Sequence, residues 1–201
     1  LFRSLERFER RIAACRRVRH DVIHDPIDAG ELADGKLYVV SYRPFGEPLD
    51  QHLQRHPSGR LGWLEARPLL VELVSGLAAA HSRRVVHGSL SPSCCWVNRP
   101  DFGKPSLRVL GFGLNANPSS DDANATRSRT NVLSVDAVFM APETAGAVFG
   151  DERSDVYMAG LVAWFMLVGH PPFQGANPFQ LATMHLTAPV PAMREHTGLQ
   201  I

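Results

Sequence analysis

Between Ser154 and Val168 the chain is almost wholly apolar, and it stops at Gly169-His170-Pro171-Pro172. A stretch of this kind with no polar face is enclosed either by protein or by lipid. Its uninterrupted part, Leu161 to Val168, reaches roughly a dozen positions with its Gly and Met neighbours, short of the about 20 that span a bilayer. The pattern therefore predicts a helix buried all round and ended by a Gly/Pro stop. The rest of the chain has to supply the layers that cover it. With 201 residues, 44% of them hydrophobic and 20% charged, there is material for one sizeable core, which sets aside disordered, collagen-like and coiled-coil readings.

Periodicity and breakers give the covering elements. Leu5, Phe8, Ile12 and Cys15 recur at helical spacing within the first 20 residues, which also carry Arg3, Arg7, Arg10, Arg11, Arg16, Arg17 and Arg19. An amphipathic helix with arginines on its solvated side follows. Val22–Ala29 and Lys36–Ser41 read as strands joined through Ala33-Asp34-Gly35. Trp63–Ser82 reads as a central helix with one apolar face at Leu70, Val74, Leu77 and Ala78 and a second at Leu69, Leu73 and Ala80. Cys95–Val97 and Leu107–Leu110 form a second hairpin across the turn-rich Asn98–Pro105. Asn115–Asn131, rich in Ser, Asp, Asn, Thr and Arg, reads as a long mobile loop. Pro178–Leu186 is a further helix with Asn177 as N-cap. No internal repeat is visible.

A net charge of +1 argues against a surface-wide nucleic-acid footprint. Three cysteines, two of them vicinal, make neither a disulfide framework nor metal-site spacing, which fits a reducing, cytoplasmic setting. Cys94 and Cys95 read as small buried hydrophobes in preference to a redox pair. His52 and His56, four apart, could share a metal, but no third ligand accompanies them, so no metal site is expected. The chain begins at Leu1 without an initiator Met or a signal-peptide core, so it reads as a segment of a longer product with no mark for secretion.

Three motifs carry the function. His87-Gly88-Ser89-Leu90-Ser91-Pro92-Ser93-Cys94 follows the central helix, Gly111-Phe112-Gly113 follows the second hairpin, and Ala141-Pro142-Glu143 closes the polar loop. In that order they resemble the protein-kinase catalytic loop H-R-D-L-x-x-x-N, the D-F-G element and the A-P-E element. Ser154-Asp155-Val156-Tyr157-Met158-Ala159-Gly160 and Gly169-His170-Pro171-Pro172-Phe173 are similar to that family's buried helix and its exit. The resemblance is to bacterial serine/threonine protein kinases and covers essentially the whole chain. It implies an α+β, protein-kinase-like fold: residues 1–42 as a remnant of the small lobe, a helix plus strands, and residues 43–201 as a mostly helical large lobe lacking its terminal helices. The glycine-rich loop and lysine strand of the small lobe would precede Leu1.

The departures from the family pattern fall on its chemistry. Phosphoryl transfer needs a positioned base, cations on the phosphates and oxygen ligands for Mg²⁺. On the resemblance, Ser89 stands at the base Asp, Ser91 at the phosphate Lys, Cys94 at the metal-binding Asn, and Gly111 at the D-F-G Asp. Arg11 stands where the helix Glu would pair with the strand lysine, and Glu9, two residues away, lies about 200° round the helix. Val135 and Asp136 replace a Gly-Thr pair before Ala141. The packing positions are kept: Cys15, His87, Phe112, Pro142, Glu143, Asp155 and Gly160 match the elements that stack the catalytic loop onto the buried helix. Asp155, among apolar neighbours, requires backbone donors from the His87 loop.

Trp96, two residues past Cys94, falls where the family places a smaller aliphatic residue at the floor of the adenine pocket, so Trp96 and Phe112 mark the expected nucleotide cleft, with the indole filling it. The expected role is that of a catalytically inactive pseudokinase, a scaffold or allosteric binding module without cofactor or metal. Its expected partner is a protein, either another kinase or a phosphopeptide-reading domain, and neither nucleic acid nor a membrane span is expected. Ser119, Ser120, Thr126, Ser128 and Thr130 beside Arg127 and Arg129 suit modification by a separate kinase. The alternative is a divergent, active serine/threonine kinase binding ATP and Mg²⁺ with Asp101, Asp121 or Asp122 recruited to the cleft.

Overall fold

The computed structural model describes residues 2–99, 104–112, 137–145 and 150–197. Helix α1 (Phe2–Cys15) is followed by β1 (Asp28–Glu31), β2 (Leu37–Val40), β3 (Glu47–Pro48), α2 (Leu49–Arg55) and α3 (Trp63–His81). A single 3₁₀ turn at Pro92–Cys94 leads into β4 (Cys95–Asn98) and β5 (Ser106–Val109). A second 3₁₀ turn at Ala137–Phe139 precedes α4 (Pro142–Ala145), α5 (Glu152–Val168), α6 (Pro178–Thr187) and α7 (Met193–Thr197).

Helix α5 is the apolar helix of the sequence pattern, largely enclosed from Leu161 to Val168, but the expectation of burial all round is corrected nearer its start, where Val156 is 64% exposed and Gly160 faces solvent. Asp151 caps it by accepting the Arg153 N–H at 2.8 Å, and Ser154 Oγ returns the favour to the Asp151 N–H at 3.0 Å. Gly169 ends it at φ 90°, a conformation that suits glycine, and its N–H reaches the Phe165 carbonyl at 2.9 Å. Met158, Val162 and Met166 are buried in a core they share with Ala66, Leu69 and Leu73 of α3 and with Leu90, Leu107, Val109 and Phe112.

On α3 the two apolar faces are not equivalent. Ala66, Leu69, Leu73, Leu77 and Ala80 are buried, whereas Val74 is 59% exposed and Ala78 faces solvent. The expectation of burial for Val74 and Ala78 is corrected, because α5 and β5 cover only the Leu69–Leu73 side. Glu72, on the half-buried flank, accepts the Leu107 N–H at 2.6 Å and so anchors β5 on α3.

The small sheets also differ in part from the pattern. β1 and β2 pair antiparallel, Asp28 opposite Val40 and Glu31 opposite Leu37, and Lys36 N–H closes the turn on Asp34 Oδ1 at 3.2 Å. The first strand, however, starts at Asp28 and not at Val22. Pro26 has no N–H to give a ladder, and Val22 and Ile23 are drawn into the core instead. There Ile23 makes an isolated parallel bridge to Val109, and Val109 N–H reaches the Val22 carbonyl at 2.7 Å. Gly76 on α3 lets this loop approach, since a Cβ there would lie 2.8 Å from Val22 Cγ1. The second hairpin forms as expected, Cys95 opposite Val109 and Asn98 opposite Ser106, and β3 adds an unexpected third strand with Pro48 opposite Trp96. Helix α6 is capped by Asn177, which accepts the Gln180 N–H at 2.9 Å.

Candidate functional site

The site forms where the segment after α3, the 3₁₀ turn at Pro92–Cys94 and the residues after β5 converge on the N-terminal turns of α5. Asp155, fully buried in the first turn of α5, is its fixed point. Its Oδ2 accepts the His87 N–H at 2.8 Å and its Oδ1 the Gly88 N–H at 2.8 Å. A third donor is His81 Nε2, at 2.7 Å from Oδ2; since a carboxylate only accepts, that nitrogen carries the proton. Sequence reasoning placed the loop donors but missed His81, whose only signal was a histidine closing α3 six residues before His87. Glycine at 88 serves the same geometry, with φ at 78°.

His87 is itself buried. Its Nε2 donates to the Leu110 carbonyl at 2.9 Å, and its ring meets Phe112 edge-on with centroids 4.8 Å apart. Burial alone would lower its pKa, but contacts with Cys94, Asp155 and the Leu110 carbonyl outweigh that and raise it. Cys15 shares the core with Phe112, and burial pushes its thiol up to about 11. On α1, Arg11 is half-buried and Glu9 exposed.

The positions that the resemblance assigns to chemistry make local contacts at Ser89, Ser91 and Cys94 and hold a glycine at 111. Ser89 N–H reaches His87 Nδ1 at 3.3 Å. Ser91 is buried and its hydroxyl lies 2.8 Å from that of Ser93. Cys94 Sγ accepts the Ser91 N–H at 3.3 Å. Gly111 sits at φ 95°, where an L side chain would be strained. A hard divalent cation takes oxygen ligands, and Cys94 and Gly111 offer a sulfur and a hydrogen, so these residues do not fit Mg²⁺. Among the described residues no group of three His, Cys, Asp or Glu side chains could hold a metal. His52 and His56 do not converge: His52 Nδ1 binds Glu47 Oε1 at 2.9 Å, His56 lies 3.6 Å from Glu65, and the rings are 6.4 Å apart.

Trp96 is half-buried in the middle strand of its sheet, opposite Pro48 and Arg108, and Arg43 lies over its ring with Cζ 5.9 Å from the centroid. Arg43 was not singled out by sequence reasoning. Pro142 opens α4, and Glu143 accepts the Ser154 hydroxyl, tying α4 to α5. Gly160 is exposed on α5. A polar chain then links α5 to α6: Tyr157 hydroxyl to His185 Nδ1 at 2.9 Å, and His185 Nε2 to the Val138 carbonyl at 3.1 Å. Burial holds the His185 pKa below its ordinary value. Gly113, the Asn115–Asn131 loop with its five Ser/Thr positions, Val135, Asp136, Asp101, Asp121 and Asp122 lie outside the described residues.

The enclosed carboxylate, the stacked His-Phe pair and the antiparallel hairpin sit in an α+β, protein-kinase-like fold. The sequence matches the family model of the protein kinase domain over residues 3–197, and the chain belongs to that family, in its bacterial serine/threonine form. It is 29% identical over 204 residues to the serine/threonine-protein kinase pkn3 of Myxococcus xanthus, covering 99% of this chain and 36% of that protein. Identity to pkn2 of the same organism is 32% over 192 residues, covering 94% and 22% respectively. PknF of Mycobacterium tuberculosis is 29% identical over 188 residues, covering 93% of this chain and 38% of that protein. The chain thus spans less than two fifths of the length of these curated relatives. A crystal structure of the kinase domain of PknI from Mycobacterium tuberculosis superposes with a TM-score of 0.70 at 21% identity, covering 95% of this chain and 64% of that one. That likeness establishes the fold. No helix among the described residues is long and apolar enough to cross a membrane.

Proposed function

We propose that this domain is a pseudokinase, a kinase fold that serves as a scaffold or allosteric binding module and transfers no phosphoryl group. One observation carries the reading. Ser89, Ser91, Cys94 and Gly111 stand at the base, phosphate-lysine and two metal-ligand positions, while the frame around them, His87, Phe112 and Asp155, is fully assembled. Chance decay would strike frame and chemistry alike. Trp96 beneath Arg43, in the strand position that would floor the adenine pocket, supports a cleft filled by the protein's own side chains.

Two measurements on the full-length protein test this. A nucleotide at 100 times its Kd stabilises a fold by about 2.7 kcal/mol, which for a domain of this size raises Tm by about 5 to 11 °C. Millimolar Mg-ATP is expected to raise Tm by less than about 1 °C. Radiolabelled transfer to itself or to generic substrates is expected to be undetectable, since loss of the general base alone costs about 10² to 10⁴ in rate. A clear Mg-dependent shift together with stoichiometric product overturns the reading.

A further inference from the structure

The connector between α1 and β1 is fixed against α3 and β5. Arg83 Nη1 donates to the Arg17 carbonyl at 3.2 Å, and the His24 N–H reaches the Val109 carbonyl at 3.0 Å. His20 Nδ1 accepts the Val22 N–H at 3.2 Å, so Nε2 carries the proton and donates to Ser75 Oγ at 3.0 Å. Between this connector and β5 opens a cavity of about 540 Å³, lined by Arg19, His20, Asp21, Ile23, Asp25 and Arg108. Arg108 lies half-buried on the outer face of the sheet, opposite Trp96, and makes no hydrogen bond or ion pair among the described residues. Arg19 has only Asp25, with Nη1 3.9 Å from Oδ2 and side chains 86% and 44% exposed, a contact worth little in water. Two guanidinium groups thus line one cavity with almost nothing to hold.

The charge around the cavity is one-sided. Arg16, Arg17, Arg19, Arg83, Arg84 and Arg108 stand against Asp21 and Asp25, on a chain whose net charge is only +1. Arg16 is committed to the Pro26 and Ile27 carbonyls; the others are not so tied. Arg84 is held at φ 56° where α3 closes, with the Val85 N–H on the Ala80 carbonyl at 3.0 Å, a position at which glycine is at ease. The strain of keeping an arginine there points to a use for its charge. A carboxylate entering the cavity would do no more than trade places with Asp25. A phosphate monoester brings up to two charges and three acceptor oxygens to two guanidinium forks, and so displaces it.

We propose that this cavity docks a phosphorylated serine or threonine of a partner protein, its phosphate between Arg19 and Arg108 and its acidic neighbours along Arg17, Arg83 and Arg84. The site uses none of Ser89, Ser91, Cys94 or Gly111, so it stands or falls apart from the pseudokinase reading.

The test is fluorescence anisotropy of the full-length protein with a short fluorescein-labelled peptide carrying one phosphoserine flanked by glutamates, beside the same peptide with serine or glutamate at that place. The phosphopeptide is expected to bind at least about tenfold more tightly than either, and to lose affinity between about 0.05 and about 0.2 M salt. Arg108→Ala and Arg19→Ala should each weaken it by about tenfold or more, Arg108→Lys should recover part of that loss, and Asp25→Asn should strengthen binding. Thermal melts check that each variant is folded. Arg153, 91% exposed on α5, is the control, and Arg153→Ala should bind as the parent does. Absence of binding, equal binding of the glutamate peptide, unchanged affinity in Arg108→Ala and Arg19→Ala, an equal loss in Arg153→Ala, or tighter binding of a short single-stranded RNA overturns the proposal.

Discussion

Replacing Asp155 by Ala should be among the most costly single changes in the domain. The carboxylate is fully buried and accepts from the His87 N–H, the Gly88 N–H and His81 Nε2 at 2.8, 2.8 and 2.7 Å. Ala removes the acceptor and leaves the two amide donors without a partner. A buried donor left unpaired costs about 1 to 3 kcal/mol, and relief from burying a carboxylate offsets part of the sum, so the net loss should be about 2 to 4 kcal/mol. His81, 16% exposed in its side chain, can turn to water and adds little. In melting temperature the loss is about 4 to 16 °C for a domain of this size. Asp155→Asn keeps one carbonyl acceptor and should recover at least half of the loss. The assay is urea unfolding with the slope held in view, since a shifted midpoint at constant slope reports stability alone. An Asp155→Ala midpoint equal to that of the parent would refute the claim that this carboxylate holds the His87 loop on α5.

Stability should depend on pH through His185. Burial lowers its folded pKa below the ordinary 6.5, so the unfolded chain binds the extra proton first. Its contribution is therefore complete above about pH 6.5 and is lost as pH falls below it, with a slope of at most about 1.4 kcal/mol per pH unit. Urea midpoints at pH 7.5 and 5.5 should differ less in His185→Gln than in the parent; equal differences would exclude His185 as the source. Gly46→Ala should cost at least about 2 kcal/mol, because φ there is 92° and a Cβ would lie 2.1 Å from the Val97 carbonyl oxygen; an unchanged melting curve would show that β3 does not sit against β4. The pseudokinase reading expects no Mg-ATP stabilisation, measured as described above.

What could be read from sequence was what depends on near neighbours. The enclosed helix was legible because fifteen residues without a polar face leave one structural solution, and its Gly169 stop because only glycine is at ease at that φ. The second hairpin and the Asn177 cap were legible for the same reason, since turn and cap chemistry act over two to four residues. The order of the three motifs was enough to place the family and the α+β fold. Burial on α3 was not legible: the helix offers two apolar faces, and only the arrival of α5 and β5 decided that Leu69 and Leu73 go inside while Val74 stays out. The strand expected from Val22 dissolved because burial against Val109 and Gly76 outweighed the β-propensity of Val22 and Ile23.

The site divides in the same way. The resemblance read from the sequence assigns Ser89, Ser91, Cys94 and Gly111 to the chemical positions, and those residue types bring neither a carboxylate nor a cation there. Tertiary structure alone decided what those residues and their neighbours touch: that Asp155 is satisfied by groups 67, 68 and 74 residues away, that Arg43 covers Trp96, and that His87 reaches the Leu110 carbonyl and the Phe112 ring. Residue types and short-range spacing are properties of the chain, but a hydrogen bond between distant segments exists only once the core has brought them within 3 Å of each other.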